Sequence, residues 1–143
     1  MCVVRYNIFV SRIDKGNKIM QQWIIPCNIK DYDVRGAFQK LRYIDWKQSN
    51  KSIEIGDEVF IYITSPVKAI QYKCKVNKVN LEYTQINDSE FVLNGESYEN
   101  YGNYMELELL EEFDIKRYSL QVLREKGLRA NIQGPMRAKG LLE

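Results

Sequence analysis

The chain has 143 residues, 45% of them hydrophobic, with 21 Lys and Arg, 19 Asp and Glu and no histidine. That length and apolar fraction fit one folded domain with a real core and exclude a disordered polar chain. A net charge of +2 is too small to argue for nucleic acid by itself, and the missing histidine excludes Ser-His and Cys-His nucleophile pairs and every His-containing metal site.

Arg5–Ser11 reads as a strand, with Tyr6, Ile8 and Val10 alternating against Asn7 and Ser11. Asp14-Lys15-Gly16-Asn17 is a turn. Trp23-Ile24-Ile25 predicts a second short strand, stopped by Pro26. Asn28–Tyr32 is a loop, after which Asp31 or Asp33 caps a short helix over about Val34–Leu41. Val34, Ala37, Phe38 and Leu41 share one face of that helix, and Gly36 weakens it. Asp45-Trp46-Lys47-Gln48-Ser49-Asn50 is read as a polar loop around one tryptophan, and Ser52–Asp57 as a segment ending in a tight turn.

Glu58–Thr64 is the strongest strand, and its unbroken apolar run predicts burial on both faces. Ser65-Pro66 breaks it. Ala69–Leu81 alternates, with Ile70, Tyr72, Cys74 and Val76 on one side and Gln71, Lys73, Lys75 and Asn77 on the other, which predicts a half-buried antiparallel strand with a basic outer face. Phe91-Val92-Leu93 reads as a short strand before the turn Asn94-Gly95. Tyr98, Tyr101 and Tyr104 lie close together, either as a stacking surface or as packing over a barrel edge. Tyr104–Phe113 is a further strand, about Ser119–Lys126 a helix stopped at Gly127, and Asn131–Arg137 a loop. The sum is an α+β small barrel of five to six mostly antiparallel strands flanked by two to three short helices.

Cys2, Cys27 and Cys74 are far apart, form no C-x-x-C pair and make a zinc site unexpected. Cys27 and Cys74 read as small buried hydrophobes. No apolar run approaches the roughly 20 residues of a membrane helix, and no signal peptide is evident. The expectation is a cytoplasmic domain with no membrane partner, no metal and no cofactor.

A flat aromatic in a polar loop suits stacking on one planar group, and a nucleobase is the obvious candidate. Trp46 is the expected stacking residue. Asp45, Gln48, Ser49 and Asn28 could read the hydrogen-bonding edge of a base, as a carboxylate accepts from an exocyclic amine. The same residues also serve as ordinary Asx and Ser turn formers. Trp23 fits core and pocket equally, and Thr64 or Ser65 falls near the same place. Lys47, Lys51, Lys68, Lys73 and Lys75 could track a phosphate backbone, or be solvated. Arg129, Gln133 and Arg137 form a second small basic group.

Several runs in this order and spacing resemble the EVE domain of the PUA-like superfamily, which is related to YTH and ASCH domains. They are Trp23-Ile24-Ile25-Pro26-Cys27-Asn28, Tyr32-Asp33-Val34-x-Gly36-Ala37-Phe38, Ile44-Asp45-Trp46-Lys47-Gln48-Ser49 and Gly56-Asp57. Ser65-Pro66-x-x-Ala69-Ile70, Tyr72-Lys73-Cys74, Met105-Glu106-Leu107-Glu108-Leu109-Leu110 and Gln133-Gly134-Pro135 also fit. The resemblance implies an EVE-like, PUA-like pseudobarrel over residues 20–143, with residues 1–19 as an extension that could add a strand. It further implies a pocket for a single base, often a modified one.

No P-loop and no carboxylate cluster with histidine is present. The expectation is therefore a reader without enzymatic activity; the resemblance implies that it binds a flipped base, modified cytosine in DNA first, as the recognition part of a restriction or defence system. Its partners would be DNA or RNA, with a nuclease or AAA+ protein supplied in trans. The alternatives are a modified-RNA binder and a sensor of a free nucleotide or small aromatic ligand.

Overall fold

The computed structural model describes residues 19–84, 86–94 and 103–142. The expected strand at Arg5–Ser11, the turn at Asp14–Asn17, Gly95, Tyr98 and Tyr101 lie outside them. In chain order the elements are β1 (Gln22–Cys27), α1 (Val34–Lys40), β2 (Tyr43–Lys47), β3 (Glu58–Ile63), β4 (Ala69–Leu81), a 3-10 turn (Ser89–Phe91), β5 (Tyr104–Glu112), α2 (Leu120–Glu125) and β6 (Met136–Arg137). The six strands form one mixed sheet in the order β2-β5-β4-β3-β1-β6. The β1–β3 pair is parallel and every other pair antiparallel.

β3 is apolar on both faces because it has a core on each side. Val59, Ile61 and Ile63 join Trp23, Ile25, Ile44, Trp46, Tyr72, Cys74, Val76, Met105 and Leu107 on the inner face of the curved sheet. Phe60 and Tyr62 pack outward against Phe113, Tyr118, Leu123, Leu128, Leu141 and Leu142, beneath α2 and the chain that follows it. α1 is capped as its sequence predicts: the Asp33 carboxylate accepts from the Gly36 N–H at 3.0 Å. Ser119 caps α2 in the same way, accepting from the Val122 N–H at 3.2 Å.

Four local expectations change. Pro26 does not stop β1; it pairs with Tyr62 inside the strand. β6 pairs only with Trp23 and Ile24, so one side of β1 is an edge at Pro26, where proline is tolerated. The run Asp45–Lys47 is not loop but the end of β2, held by β5 through Trp46↔Met105. Phe91 lies in a 3-10 turn and Val92 makes only a single bridge, to Tyr32. Met136–Arg137, read as loop, adds β6.

Candidate functional site

β2 presents Ile44 and Trp46 to the inner core and Asp45 to the other side. Trp46 is 8% exposed and meets Tyr32 edge to face, ring centroids 5.2 Å apart at 75°. The Tyr32 hydroxyl donates to Asp88 Oδ2 at 2.8 Å, and the Ile86 N–H donates to Asp45 Oδ2 at 2.7 Å. Tyr32 thus joins the Trp46 ring to the Asp88 carboxylate where residues 86–94 fold back against β2 and the start of α1, and Asp45 bonds the same segment from the opposite side of β2. Burial raises the Asp88 carboxyl above its usual value, the Asp45 charge pushes it further, and the Tyr32 hydroxyl pulls it back. A buried carboxyl raised above its usual value and bonded to a tyrosine hydroxyl is a candidate acid–base group in a setting without histidine.

Trp23 is 2% exposed and belongs to the inner core. Its indole N–H donates to Asp57 Oδ2 at 2.9 Å. Asp57 also accepts from the Gln21 backbone and side chain at 3.1 and 3.0 Å and from the Glu54 N–H at 2.9 Å. The Arg137 guanidinium lies over the Trp23 ring, 4.5 Å from its centroid.

The remaining expected pocket residues are divided between two ends of the sheet. Asn28 and Ser65 are exposed at the shared C-terminal end of β1 and β3, where the Thr64 N–H bonds the Cys27 carbonyl. The Asn28 side chain closes an Asx turn on the Lys30 N–H at 2.9 Å. β2 runs opposite to β3, so Gln48 and Ser49 lie at the other end. There Gln48 Oε1 accepts from the Asn80 N–H at 2.8 Å, and Ser49 is exposed.

The expected phosphate-binding lysines are likewise dispersed. Lys47 and Lys51 follow Trp46, Lys68 lies at the far end, and Lys73 and Lys75 are on the outer face of β4. That face is not a basic stripe. Lys73 pairs with Glu58 at 3.1 Å, and Lys75 is in register with both Glu58 and Glu108. Arg42 and Asn77 bind Glu108 as well, which holds that carboxyl below its usual value.

Among the described residues, the surface grooves include two beside these elements. One, of about 300 Å³, is bordered by Gln21, Gln22, Glu58, Arg137 and Lys139. The other, of about 400 Å³, runs along Phe38, Leu41, Arg42, Leu109 and Glu112. The thiols take no part: burial pushes Cys27 up to about 12, with Asp31 and Asp33 adding to it, and raises Cys74 as well. Among the described residues no cluster of His, Cys, Asp or Glu could hold a metal, and no helix is long and apolar enough to cross a membrane.

Sequence reasoning did not single out Tyr32, Asp88 or Lys139. Tyr32 stood within a quoted family run. Asp88 lies in an irregular segment with no periodicity to mark it.

No protein-family model and no curated protein matches the chain. Among solved structures it resembles an ASCH protein from Zymomonas mobilis. The structure of that protein matches with a TM-score of 0.52 at 10% identity, covering 82% of this chain and 87% of that one. A variant with serine replaced by alanine matches with a TM-score of 0.56 at 10% identity, covering 85% of this chain and 90% of that one. A tyrosine-to-phenylalanine variant gives 0.52 at 10% identity, over 85% and 92%. The likeness is to ASCH domains of the PUA-like superfamily rather than to EVE domains in particular.

It also overturns the expectation that the chain is no enzyme. That expectation rested on missing histidine and metal motifs. Each of the two variant ASCH proteins has lost a single hydroxyl, a group whose chemistry needs neither. The six-stranded mixed sheet with its two helices is the α+β pseudobarrel shared by ASCH and other PUA-like domains.

Proposed function

We propose that this chain is a nucleic-acid-binding domain of the PUA-like type that engages one base beside Trp46 and Tyr32. The observation that carries the reading is the meeting of these two rings, 5.2 Å apart, with the buried Asp88 carboxylate bonded to the Tyr32 hydroxyl. An aromatic face supplies about 1–3 kcal/mol of stacking per base. A carboxylate accepts from the exocyclic amine of cytosine or adenine. Both rings are nearly covered, so a base reaches them when residues 86–94 lift from β2. The likeness to ASCH structures and the resemblance to EVE domains support the same reading. A flipped, modified cytosine in DNA is the first ligand, modified RNA the second, and a nuclease or AAA+ protein in trans the partner of a defence role.

A second reading is favoured by Asp88. A buried carboxyl raised above its usual value and bonded to the Tyr32 hydroxyl fits acid–base chemistry, and in this reading the site hydrolyses a substituent of the bound base.

The test is a titration against matched single- and double-stranded DNA and RNA carrying plain or modified cytosine or adenine, with products analysed by mass spectrometry. Tighter binding to one modified member that weakens in Trp46→Phe supports the first reading. A changed base mass, lost in Tyr32→Phe, supports the second. Absence of binding and of turnover with every oligonucleotide removes both.

A further inference from the structure

We infer that the groove beside Arg137 and Lys139 is the phosphate-binding part of this surface; the inference rests on the nucleic-acid reading above. The ion pairs among the described residues use Lys40, Arg42, Lys73, Lys78 and Arg117. Arg137 and Lys139 are in none of them, and both border one groove of about 300 Å³. The acidic residue of that groove, Glu58, is already occupied: one oxygen accepts from the Gln22 amide at 2.9 Å and the other pairs with Lys73 at 3.1 Å. Among the described residues, the groove therefore keeps two positive charges beside a carboxylate, Glu58, that is already paired.

Arg137 is also held in place. Its guanidinium lies 4.5 Å from the centroid of the Trp23 ring, and that ring is fixed through its N–H to Asp57. β6 sets the backbone beneath it by pairing Arg137 with Trp23. A planar donor fork resting on a rigid ring loses little freedom when it grips two phosphate oxygens, and this is how arginine recognises phosphate best. Lys139 adds a second charge from the turn after β6.

The groove is linked to the base site through the loop that follows Trp46. Gln21, on the groove wall, donates from Nε2 to the Ser52 carbonyl at 3.0 Å. β2 ends at the same end of the sheet at which β1 and β3 begin, so the loop leaving Trp46 and the groove face a single strand of nucleic acid together. The lysines of β4, engaged with or facing Glu58 and Glu108, offer no comparable site.

The experiment compares wild type, Lys139→Gln, Arg137→Gln and the double variant by oligonucleotide titration across a salt series, with Lys116→Gln as an equal-charge control on an exposed loop. Melting temperatures identify any variant that loses structure, and Lys139→Gln, at an exposed position, serves if Arg137→Gln does. The expected result is a loss of about tenfold in affinity at low salt for the double variant, with the salt slope smaller by about one to two. Unchanged affinity and slope, in a wild type that binds, overturn the groove and leave the nucleic-acid reading intact.

A second arm follows the Arg137 side-chain N–H by NMR during addition of inorganic pyrophosphate and of a nucleoside monophosphate. If wild type binds no oligonucleotide, a saturable shift at Arg137 assigns the groove to the phosphate of a free nucleotide. No shift in that case overturns the groove as well.

Discussion

The indole N–H of Trp23 donates to Asp57 across 34 positions of sequence, and this bond closes the start of β1 onto the turn that precedes β3. Asp57 is 2% exposed and accepts four hydrogen bonds in all. Asp57→Ala strands the Trp23 and Glu54 donors in the interior and is expected to destabilise the fold by about 2–4 kcal/mol. Trp23→Phe, which removes one donor and keeps most of the ring, is expected to cost about 1 kcal/mol. Urea unfolding midpoints of the two variants check the order.

Trp46 carries both packing and the proposed stacking role, and truncation confuses the two. Trp46→Ala empties a core position that touches Tyr32 and is expected to cost about 3–5 kcal/mol. Trp46→Phe keeps a ring and the fold while shrinking the stacking face. The measurement is oligonucleotide affinity of the phenylalanine variant beside its melting temperature. An unaltered affinity in a stable variant removes Trp46 from the site.

Asp88 makes stability depend on pH in a stated direction. Its folded carboxyl is raised from 3.8, first by burial and then by Asp45. The folded protein therefore holds the proton more tightly than the unfolded chain. Its stabilising contribution is complete below 3.8 and is lost as pH rises through the raised value. Tyr32→Phe removes a bond that favours the ionised form, so the loss is expected to move to higher pH. Unfolding midpoints from about pH 3 to about pH 7, with carboxyl NMR of Asp88, read both the sign and the displacement.

Gly36 lies inside α1, where alanine ordinarily adds about 1 kcal/mol. Here a Cβ on residue 36 collides with Asp33 Oδ2, part of the carboxylate that caps the helix. The side chain can swing away, but the cap bond, worth about 1 kcal/mol, goes with it. Gly36→Ala is expected to be neutral or destabilising in wild type and stabilising by about 1 kcal/mol in an Asp33→Ala background. A four-corner thermal denaturation cycle checks it, and a wild-type gain equal to that in the Asp33→Ala background means the cap contributes nothing.

Much of the sheet was legible because burial imposes a period on the sequence. Ala69–Leu81 alternates because β4 has a core on one side, and Val59–Ile63 does not because β3 has one on each. Asp33 and Ser119 mark their helices by the one bond each cap makes. β2 was read as loop because Asp45, Lys47 and Gln48 are polar. Asp45 and Gln48 find partners in Ile86 and Asn80, distant in sequence, which no local pattern reveals. The aromatic and acidic cluster was half legible for the same reason. Trp46 and Asp45 stood out by composition, whereas Tyr32 and Asp88 are 56 positions apart and meet only through the fold. The basic face of β4 was correctly placed, but its neutralisation comes from Glu58 and Glu108 on neighbouring strands.

The parallel pairing of β1 with β3 also sets an order of events during synthesis. Gln22 and Glu58 are 36 positions apart, and Arg42, just before β2, is 66 positions from its partner Glu108. β3 and β4, by contrast, are joined by one short turn and can pair as soon as both have left the ribosome. Among the described strands, those bearing the two tryptophans thus emerge first and wait longest for their neighbours. The nascent chain carries its two tryptophan rings uncovered until their partner strands have been made, an interval in which chaperones and neighbouring chains compete for them.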